Sequence, residues 1–360
     1  MINDIKQYVN WFRHSSPYIN SHRGKTFVLM LGGEAVAHPN FDNIVHDIAL
    51  LNSLGVRLVL IHGSRPQIEE RLTERGLTPR LHHHRRVTDA DTLRHVIDAA
   101  ASVRTQIEAR LSMGLSNTPM HGAQIRVVSG NFVTARPVGV DDGVDLGHTG
   151  EVRRLDVQAI NQHMDNGNIV LLSHLGYSPT GEIFNLAVED VATRAAISLD
   201  ADKLVLFGAE KGVLDSKDAL RSELLTRTAE RLVTGYLAGL DNSAQPHTEL
   251  SRNLQAAVQA CREGVERCHL ISYQEDGALV SELFTRDGSG TMVLQESYEQ
   301  IRRASIEDVG GLLEMLRPME EQGILVRRSR ELLESEIERF TLVERDGAII
   351  GCAALYPFGE

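Results

Sequence analysis

The chain has 360 residues, a length that suggests roughly two domains, and its apolar fraction of 42% is ordinary for a globular protein. Its formal net charge of −12 argues against nucleic acid or an anionic membrane as the main partner. The N-terminus has the pattern of neither a signal nor a transit peptide, and no apolar run reaches the ~18 residues of a membrane span. Three cysteines without metal-site spacing favour a reducing cytoplasm.

The elements from the N-terminus onward predict an α/β fold. An amphipathic helix is predicted over residues 5–13 and is expected to stop at Pro17. A strand then runs into the diglycine Gly32-Gly33, and a second strand runs into Gly63. A long helix is predicted after Thr88. Further strands, with helices between them, are predicted at residues 125–128, 169–172, 204–207 and 269–272.

Repeated β-α-β units predict an open, mostly parallel sheet sandwiched by helices. Ligands bind such sheets at the carboxyl ends of the strands, where both glycine loops fall. Beyond residue 295 the pattern changes to a strand, two helices capped by Ser305 and Ser329, and a hairpin turning at Asp346-Gly347. We therefore predict an N-terminal helical arm at 1–22, a first domain at 23–295 and a β-α-α-β-β unit at 298–360.

Several ordered motifs of the first domain resemble the amino-acid kinase family, most of all acetylglutamate kinase. They are Leu31-Gly32-Gly33-Glu34-Ala35, His62-Gly63-Ser64-Arg65-Pro66-Gln67-Ile68, Arg86-Val87-Thr88-Asp89, Phe184-Asn185-Leu186-Ala187 and residues 283–291. The resemblance implies the same open sheet between helices and a phosphoryl-transfer site at the glycine loops.

The chain departs from the family at the positions that grip phosphate. Met30 and Asn253 stand where the kinases carry lysines, and Glu189 stands at the orienting aspartate. Losing one such preorganised charge costs about 10²–10³ in rate, so losing two should leave little activity. We therefore predict a degenerate kinase site around Met30, Gly32, Gly33, Gly63, Glu189 and Asn253. A misalignment in which Lys25 or Lys211 replaces a missing lysine stays open.

The resemblance also implies an arginine effector site, since arginine-inhibited members of the family use a histidine, a glutamate thirteen residues later and a glycine six residues beyond. His269, Glu282 and Gly288 match that spacing. In those proteins an added N-terminal helix borders the site and links dimers into a hexamer, which here implicates His14 and Tyr18. The alternative is that Glu282 is a solvated acid and His14 a surface residue.

Two other features are not expected to be functional. The run from His82 to Arg86 is expected to be a solvated loop, because consecutive histidines of an extended chain point to opposite faces and no acidic ligands accompany them in the sequence. The sequence therefore predicts no metal site. Cys261 and Cys268 are expected to be small buried hydrophobic residues.

The remainder of the chain resembles the start of a GNAT acetyltransferase module. Residues 272–279, 322–331 and 352–358 match bacterial N-acetylglutamate synthases, which fuse such a module to an amino-acid kinase-like domain. The resemblance implies acetyl transfer from acetyl-CoA to the α-amine of L-glutamate, the first step of arginine biosynthesis, with feedback inhibition by L-arginine and no permanently bound cofactor. It places Leu325 and Arg327 in the glutamate site. An exposed basic face formed by Arg327, Arg328 and Arg330 is the alternative.

This second segment is shorter than a complete acetyltransferase module. Residues 298–360 number 63 (360 − 298 + 1), about half of what the module needs. The expectation is that the catalytic acid and the acetyl-CoA site lie beyond Glu360 and that no catalytic residue can be named. Two other functions stay open: a non-catalytic arginine-binding or assembly subunit, and an acetylglutamate kinase using ATP and Mg²⁺.

Overall fold

The computed structural model describes residues 5–113, 120–237, 248–295, 300–345 and 348–356. The chain divides into two compact units, Met1–Gln295 and Glu296–Glu360, and the junction at 296–299 lies outside the described residues. Within the described ranges, no helix is long and apolar enough to cross a membrane.

The described part of the first unit contains strands β1 to β16 and helices α1 to α10. The strands are β1 (Thr26–Leu31), β2 (Arg57–His62), β3 (Leu81–His82), β4 (Arg85–Arg86), β5 (Val127–Val128), β6 (Val133–Pro137), β7 (Val140–Asp141), β8 (Val144–Asp145), β9 (Gly150–Leu155), β10 (Ile169–Ser173), β11 (Leu175–Tyr177), β12 (Ile183–Asn185), β13 (Lys203–Gly208), β14 (Glu223–Leu225), β15 (Arg267–Ser272) and β16 (Thr291–Leu294). The helices are α1 (Ile5–His22), α2 (Gly33–Ala37), α3 (Phe41–Ser53), α4 (Arg65–Glu74), α5 (Ala90–Leu111), α6 (Val157–Asp165), α7 (Val188–Ser198), α8 (Thr226–Leu237), α9 (Glu249–Arg262) and α10 (Ala278–Phe284).

The central sheet has eight strands in the order β14-β16-β15-β13-β1-β2-β10-β5. All neighbours are parallel except β15 and β16, which are antiparallel. Parallel neighbours need crossover helices, and these cover both faces of the sheet. The predicted open, mostly parallel sheet is therefore confirmed.

Alternation along β1 shows how the sheet separates two apolar cores. Val28 and Met30 face one core, which helices α6 to α9 complete. Phe27, Leu29 and Leu31 face the other, which α2, α3, α5 and α10 complete. Because successive side chains of a strand point to opposite faces, a strand buried on both sides is apolar throughout.

Helix α1 continues past Pro17 to His22, so the prediction that proline ends it is wrong. Proline removes one backbone donor, but tertiary contacts hold the last turn in place. Tyr18 and Ile19 pack against the core, and the His22 Nε2–H donates to the Leu283 carbonyl at 2.8 Å. Tertiary packing thus outweighs the tendency of Pro17 to end the helix.

The start of α5 also differs slightly from the prediction. Its N-cap is Asp89 rather than Thr88, and the Asp89 carboxylate accepts from the Thr92 N–H at 2.8 Å. Thr88 is instead buried, where its backbone pairs with Leu146 and His148. Threonine and aspartate are both favoured at helix N-caps, so only tertiary contacts decide which of the two residues caps α5.

A smaller four-stranded sheet, β12-β11-β6-β9, is accompanied by two short hairpins, β3-β4 and β7-β8. The first hairpin turns at His83 and His84, whose φ angles are 44° and 64°, so the histidine run is not an extended chain. The second turns at Asp142 and Gly143. The two hairpins meet, since the His83 Nε2 lies 3.1 Å from an Asp142 carboxylate oxygen. The two reasons for predicting a solvated loop are therefore wrong. The histidines lie at one tight turn, and acidic residues of the second hairpin lie beside them.

The second unit contains β17 (Gln300–Arg303), α11 (Val309–Glu321), α12 (Arg330–Glu336), β18 (Phe340–Arg345) and β19 (Ala348–Ala354). The strands form an antiparallel sheet in the order β17-β18-β19, which confirms the predicted β-α-α-β-β order. The predicted turn at 346–347 lies outside the described residues.

A charged cluster fixes the first strand of this unit to the turn before α11. Ser305 and Asp308 form a reciprocal capping box around the 3-10 turn that precedes α11. The Arg302 guanidinium donates to both Asp308 oxygens at 2.7 Å and to Glu344 at 2.6 Å. Bidentate pairing of this kind gives geometric specificity as well as energy, and it holds the Asp308 pKa far below its usual range.

Candidate functional site

The two glycine loops lie side by side at the carboxyl ends of β1 and β2. A Cβ at Gly33 would lie 2.8 Å from the Ser64 Cα, and one at Gly63 would lie 3.4 Å from the Gly33 nitrogen. The Gln67 amide donates to the Gly33 carbonyl at 2.8 Å. Glycine at position 33 is therefore needed for the close approach of the two loops.

The three substituted kinase positions around these loops carry no free positive charge. Met30 is 2% exposed and packs in the core beneath the sheet. Asn253 is 2% exposed, and its Oδ1 is buried without a hydrogen-bond partner among the described residues. Glu189 pairs with the Arg252 guanidinium at 2.7 Å. None of the three side chains can therefore supply a positive charge to bind a phosphate.

Instead, carboxylates gather at this edge of the sheet. A Cβ at Gly32 would lie 2.8 Å from a Glu34 oxygen and 3.3 Å from a Glu249 oxygen. Glu249 accepts from the Ala209 N–H at 2.9 Å. Burial, followed by the charges of Glu34 and Glu210, raises the pKa of Glu249 to about 7. No sequence pattern indicated this cluster, although Glu249 stands one helical turn before Asn253 in α9.

Both lysines that could have replaced the missing pair are held in ion pairs with carboxylates. Lys25 precedes β1, at the end of the strand opposite the glycine loops, and its Nζ pairs with Asp202 at 2.8 Å. Lys211 follows β13 and forms an ion pair with Glu275. The kinase-like edge is therefore acidic, and a triphosphate would meet like charge there.

A chain of buried polar side chains, which no sequence motif indicated, runs beside the second glycine loop. The Ser64 hydroxyl lies 2.5 Å from the His174 Nε2, and the His174 Nδ1 lies 3.1 Å from the Asn185 Oδ1. The Asn185 amide donates to the Thr88 hydroxyl at 3.1 Å. Burial lowers the pKa of His174 to about 4, so the ring is neutral at pH 7. Satisfied networks of this kind fix one arrangement of the loops that contribute to them.

The structure brings the three C-terminal residues of the predicted effector site together. The His269 Nδ1 lies 2.7 Å from the Glu282 Oε1, and both side chains are 4% exposed. The Glu282 Oε2 accepts from the backbone N–H groups of Ser289 and Gly290 at 2.7 and 2.8 Å. Glu282 is thus a buried, hydrogen-bonded carboxylate rather than a solvated acid.

These contacts keep Glu282 ionised in spite of its burial. Burial alone would raise its pKa, but the hydrogen bond from His269 and the two backbone donors lower the pKa to about 2. For His269, burial and then the charge of Lys203 lower the pKa, with the bond to Glu282 opposing them. The His269 Nε2 is buried and has no hydrogen-bond partner within the described ranges.

Gly288 is placed so that only glycine fits. Its φ is +67°, and a Cβ there would lie 2.6 Å from the Glu282 Oε2. A side chain at this position would therefore displace the carboxylate that Ser289 and Gly290 hold.

The predicted residues of the N-terminal helix are only partly placed near this cluster. Tyr18 is half-buried against the core, whereas His14 is exposed on the surface of α1. His22 of α1 does contact α10, and its ring also packs edge-on against Phe284. His22 lies four residues after Tyr18, so helical spacing could have indicated it.

In the second unit, Leu325 and Arg327 lie on the segment between α11 and α12. Leu325 is 41% exposed and Arg327 is also exposed. The backbone N–H groups of Ile324 and Leu325 both donate to the Met319 carbonyl, at 2.9 and 3.2 Å. Arg328 does not form an open basic face with Arg327, because its guanidinium donates to the Tyr356 hydroxyl at 2.8 Å.

Comparison with known proteins agrees with this architecture. Residues 25–272 match the amino acid kinase family. The chain is 63% identical over 360 residues to an amino-acid acetyltransferase of Azotobacter vinelandii and 64% identical over 356 residues to one of Pseudomonas aeruginosa. These alignments cover 99% of this chain and 80% of each relative.

Solved structures give the same result. The structure of N-acetylglutamate synthase from Neisseria gonorrhoeae, complexed with coenzyme A and L-arginine, matches with a TM-score of 0.84 and 36% identity, over 98% of this chain and 80% of that one. A Giardia carbamate kinase matches with a TM-score of 0.53 and 13% identity, which reflects the fold alone. The chain belongs to the amino-acid acetyltransferases, and its residues 25–272 belong to the amino acid kinase family.

Proposed function

We propose that this chain is an N-acetylglutamate synthase, which transfers the acetyl group of acetyl-CoA to the α-amine of L-glutamate and is inhibited by L-arginine. The observation that carries the proposal is the 63–64% identity to amino-acid acetyltransferases over nearly the whole chain. Acetyl-CoA is then a co-substrate, and the chain needs no permanently bound cofactor. The reaction is proposed to belong to arginine biosynthesis in the cytoplasm, where the free thiols Cys261 and Cys268 would stay reduced.

Phosphoryl transfer by the first unit is disfavoured by its charges. The glycine-loop edge presents Glu34 and Glu249 where a kinase needs cations, and the core fills the Met30 position. Catalysis of phosphoryl transfer depends almost entirely on positioning and on positive charge at the phosphoryl oxygens. We therefore propose a regulatory role for the first unit.

Arg327 is the proposed anchor for a carboxylate of the glutamate substrate. The segment that carries it is held on both sides, by the bonds of Ile324 and Leu325 to Met319 and by the bond of the Arg328 N–H to Glu320 at 3.1 Å. A guanidinium on an anchored segment loses less freedom when it binds a carboxylate bidentately. Leu325 would contribute its backbone and apolar side chain to the same site.

The arginine effector is proposed to bind at the cluster of His269, Glu282 and Gly288. The Glu282 Oε2 is occupied by two backbone donors, whereas Oε1 has only His269 and keeps capacity for a guanidinium N–H. The buried His269 Nε2 would gain a partner from the same ligand. Tyr18 and His14 are proposed to border the site from the N-terminal helix.

The hexamer is proposed on the apolar surface of α1. Ile5 is 80% exposed, Phe12 56% and Trp11 45%, on a helix whose Tyr18 and Ile19 pack against the core. A second copy of this helix would cover these side chains. Sedimentation of the natural protein should therefore give a hexamer, and Trp11→Glu should yield smaller species with arginine binding retained.

The direct test of the proposed reaction follows release of the CoA thiol from acetyl-CoA and L-glutamate by the natural protein. Thiol release that requires glutamate and falls when millimolar arginine is added is the expected result. ADP formation from ATP and acetylglutamate, without thiol release, would overturn the proposal in favour of a kinase.

Two pairs of variants test the assigned residues. Arg327→Ala should raise the KM for glutamate with little change in the KM for acetyl-CoA, whereas Arg330→Ala, whose guanidinium pairs with Glu334, should change neither.

Glu282→Gln should abolish inhibition by arginine, and the surface variant Glu151→Gln should leave it intact. An unchanged arginine titration in Glu282→Gln would refute the effector site while leaving the synthase assignment standing.

A further inference from the structure

The two hairpins β3-β4 and β7-β8 bring metal-binding side chains together that the sequence keeps 59 residues apart. His82, His83 and Asp141 each offer one ligand atom, and the three atoms lie within 4.8 Å of one another. Asp142 adds a second carboxylate at the edge of the group, 3.1 Å from the His83 Nε2. We propose that these hairpins bind one divalent transition-metal ion of the zinc class through His82, His83 and Asp141.

The distance between the His82 and Asp141 ligand atoms suits a small tetrahedral ion. Zinc binds imidazole nitrogen and carboxylate oxygen at about 2.0–2.2 Å, so two tetrahedral ligands stand about 3.4 Å apart. The His82 Nε2 and the Asp141 Oδ2 are 3.4 Å apart, which is too long for a good hydrogen bond and right for two ligands of one ion. The rings of His82 and His83 are close neighbours, with centroids 4.2 Å apart.

The burial of the same His82 nitrogen adds to this evidence. Its Nε2 is shut off from solvent and has no hydrogen-bond partner among the described residues, although buried polar atoms are almost always paired. A bound cation would satisfy it. Asp142 would then either donate a fourth ligand or, as carboxylates often do in metal sites, accept the second ring N–H of His83 and orient that ring.

The choice of ligand types selects the class of ion. Two imidazoles and a carboxylate suit zinc, cobalt, nickel or copper, whereas magnesium and calcium prefer sites made of oxygen alone. With three protein ligands the remaining position would hold water, as in open zinc sites.

A metal here would stabilise more than the hairpins themselves. The segments that leave them pair directly, since the Thr88 N–H donates to the Leu146 carbonyl at 3.2 Å and the His148 N–H donates to the Thr88 carbonyl at 2.7 Å. Thr88 is also a member of the buried network that reaches Ser64. An ion bound by both hairpins would therefore also stabilise the loops beside the two glycine loops. We assign the site a structural role for this reason.

The test uses tag-free natural protein titrated with Zn²⁺ by calorimetry, and with Co²⁺ by visible absorption. We expect one saturable Zn²⁺ site and a rise of the melting temperature with Zn²⁺, as for any ligand that binds only the folded state. Asp141→Asn and His82→Ala should each weaken Zn²⁺ binding at least about tenfold. The control His121→Ala replaces an exposed histidine elsewhere and should bind as the wild type does.

Two results would overturn the site. The first is a binding result: either the wild type shows no saturable Zn²⁺ binding, or Asp141→Asn and His82→Ala bind Zn²⁺ as tightly as the wild type does. The second does not depend on any variant: a thiolate-to-cobalt charge-transfer band in the wild type would assign the ion to a cysteine such as Cys352. Ligand-field bands from nitrogen and oxygen ligands alone support the hairpin site.

Discussion

Replacing Glu282 with glutamine tests the buried pair with His269 through the pH dependence of stability. The pKa of Glu282 falls from its ordinary value of 4.5 to about 2 in the folded protein. One pKa unit is worth about 1.4 kcal/mol, so ionised Glu282 contributes about 3 kcal/mol to the free energy of unfolding at pH 7. A depressed pKa means that this contribution is complete above pH 4.5 and is lost as the pH falls through 2.

Glutamine cannot ionise, so the stability difference between wild type and Glu282→Gln should shrink as the pH falls. The linkage relation gives about 3 kcal/mol at pH 7 and about 1.4 kcal/mol at pH 3. Urea unfolding followed by tryptophan fluorescence and by circular dichroism at both values measures the difference. Glu151→Gln, at an exposed ion pair with Arg136, provides the control and should change little. A difference that is the same at pH 3 and pH 7 would refute the reasoning.

Three further variants test the remaining features of the first unit. Glu249→Gln should stabilise the protein by up to about 3 kcal/mol at pH 8 and hardly at all at pH 4, because a pKa raised to about 7 makes ionisation above pH 4.5 costly; a melting-temperature gain that does not grow with pH would contradict this. Met30→Lys should lower the free energy of unfolding by about 3 kcal/mol or more in urea titrations, because it buries an ammonium group, and it should not restore ADP formation. Gly288→Ala should abolish arginine binding in calorimetry, since its Cβ would displace Glu282; normal binding would show that the carboxylate tolerates displacement.

The sequence alone determined the fold class and the loss of the kinase cations. Apolar strands such as β1, running into Gly32-Gly33, fix which segments lie in the buried sheet, because a strand covered on both faces must be apolar throughout. Once the resemblance assigns the two lysine positions, the residue types Met30 and Asn253 are enough to show that the cations are missing. The resemblance to arginine-inhibited kinases placed His269 and Glu282 in one site, and the structure brings the two side chains to 2.7 Å.

Tertiary structure alone decided the contacts between elements that are far apart in the chain. Pro17 signals a helix end locally, yet the packing of Tyr18 and the bond of His22 to Leu283, 261 residues away, extend α1 by more than a turn. The carboxylates of Glu34 and Glu249 meet only because β1 and β13 are neighbours in the sheet.

The hairpins at His83 and Asp142 show the same limit most clearly. Each turn is a short-range feature, but the two face one another only in the folded first unit. Periodicity and spacing report which face of an element a side chain occupies, and they contain no information about which distant element lies opposite it. That pairing is set by the packing of the whole unit, and the acidic edge, the effector pair's environment and the proposed metal site all depend on it.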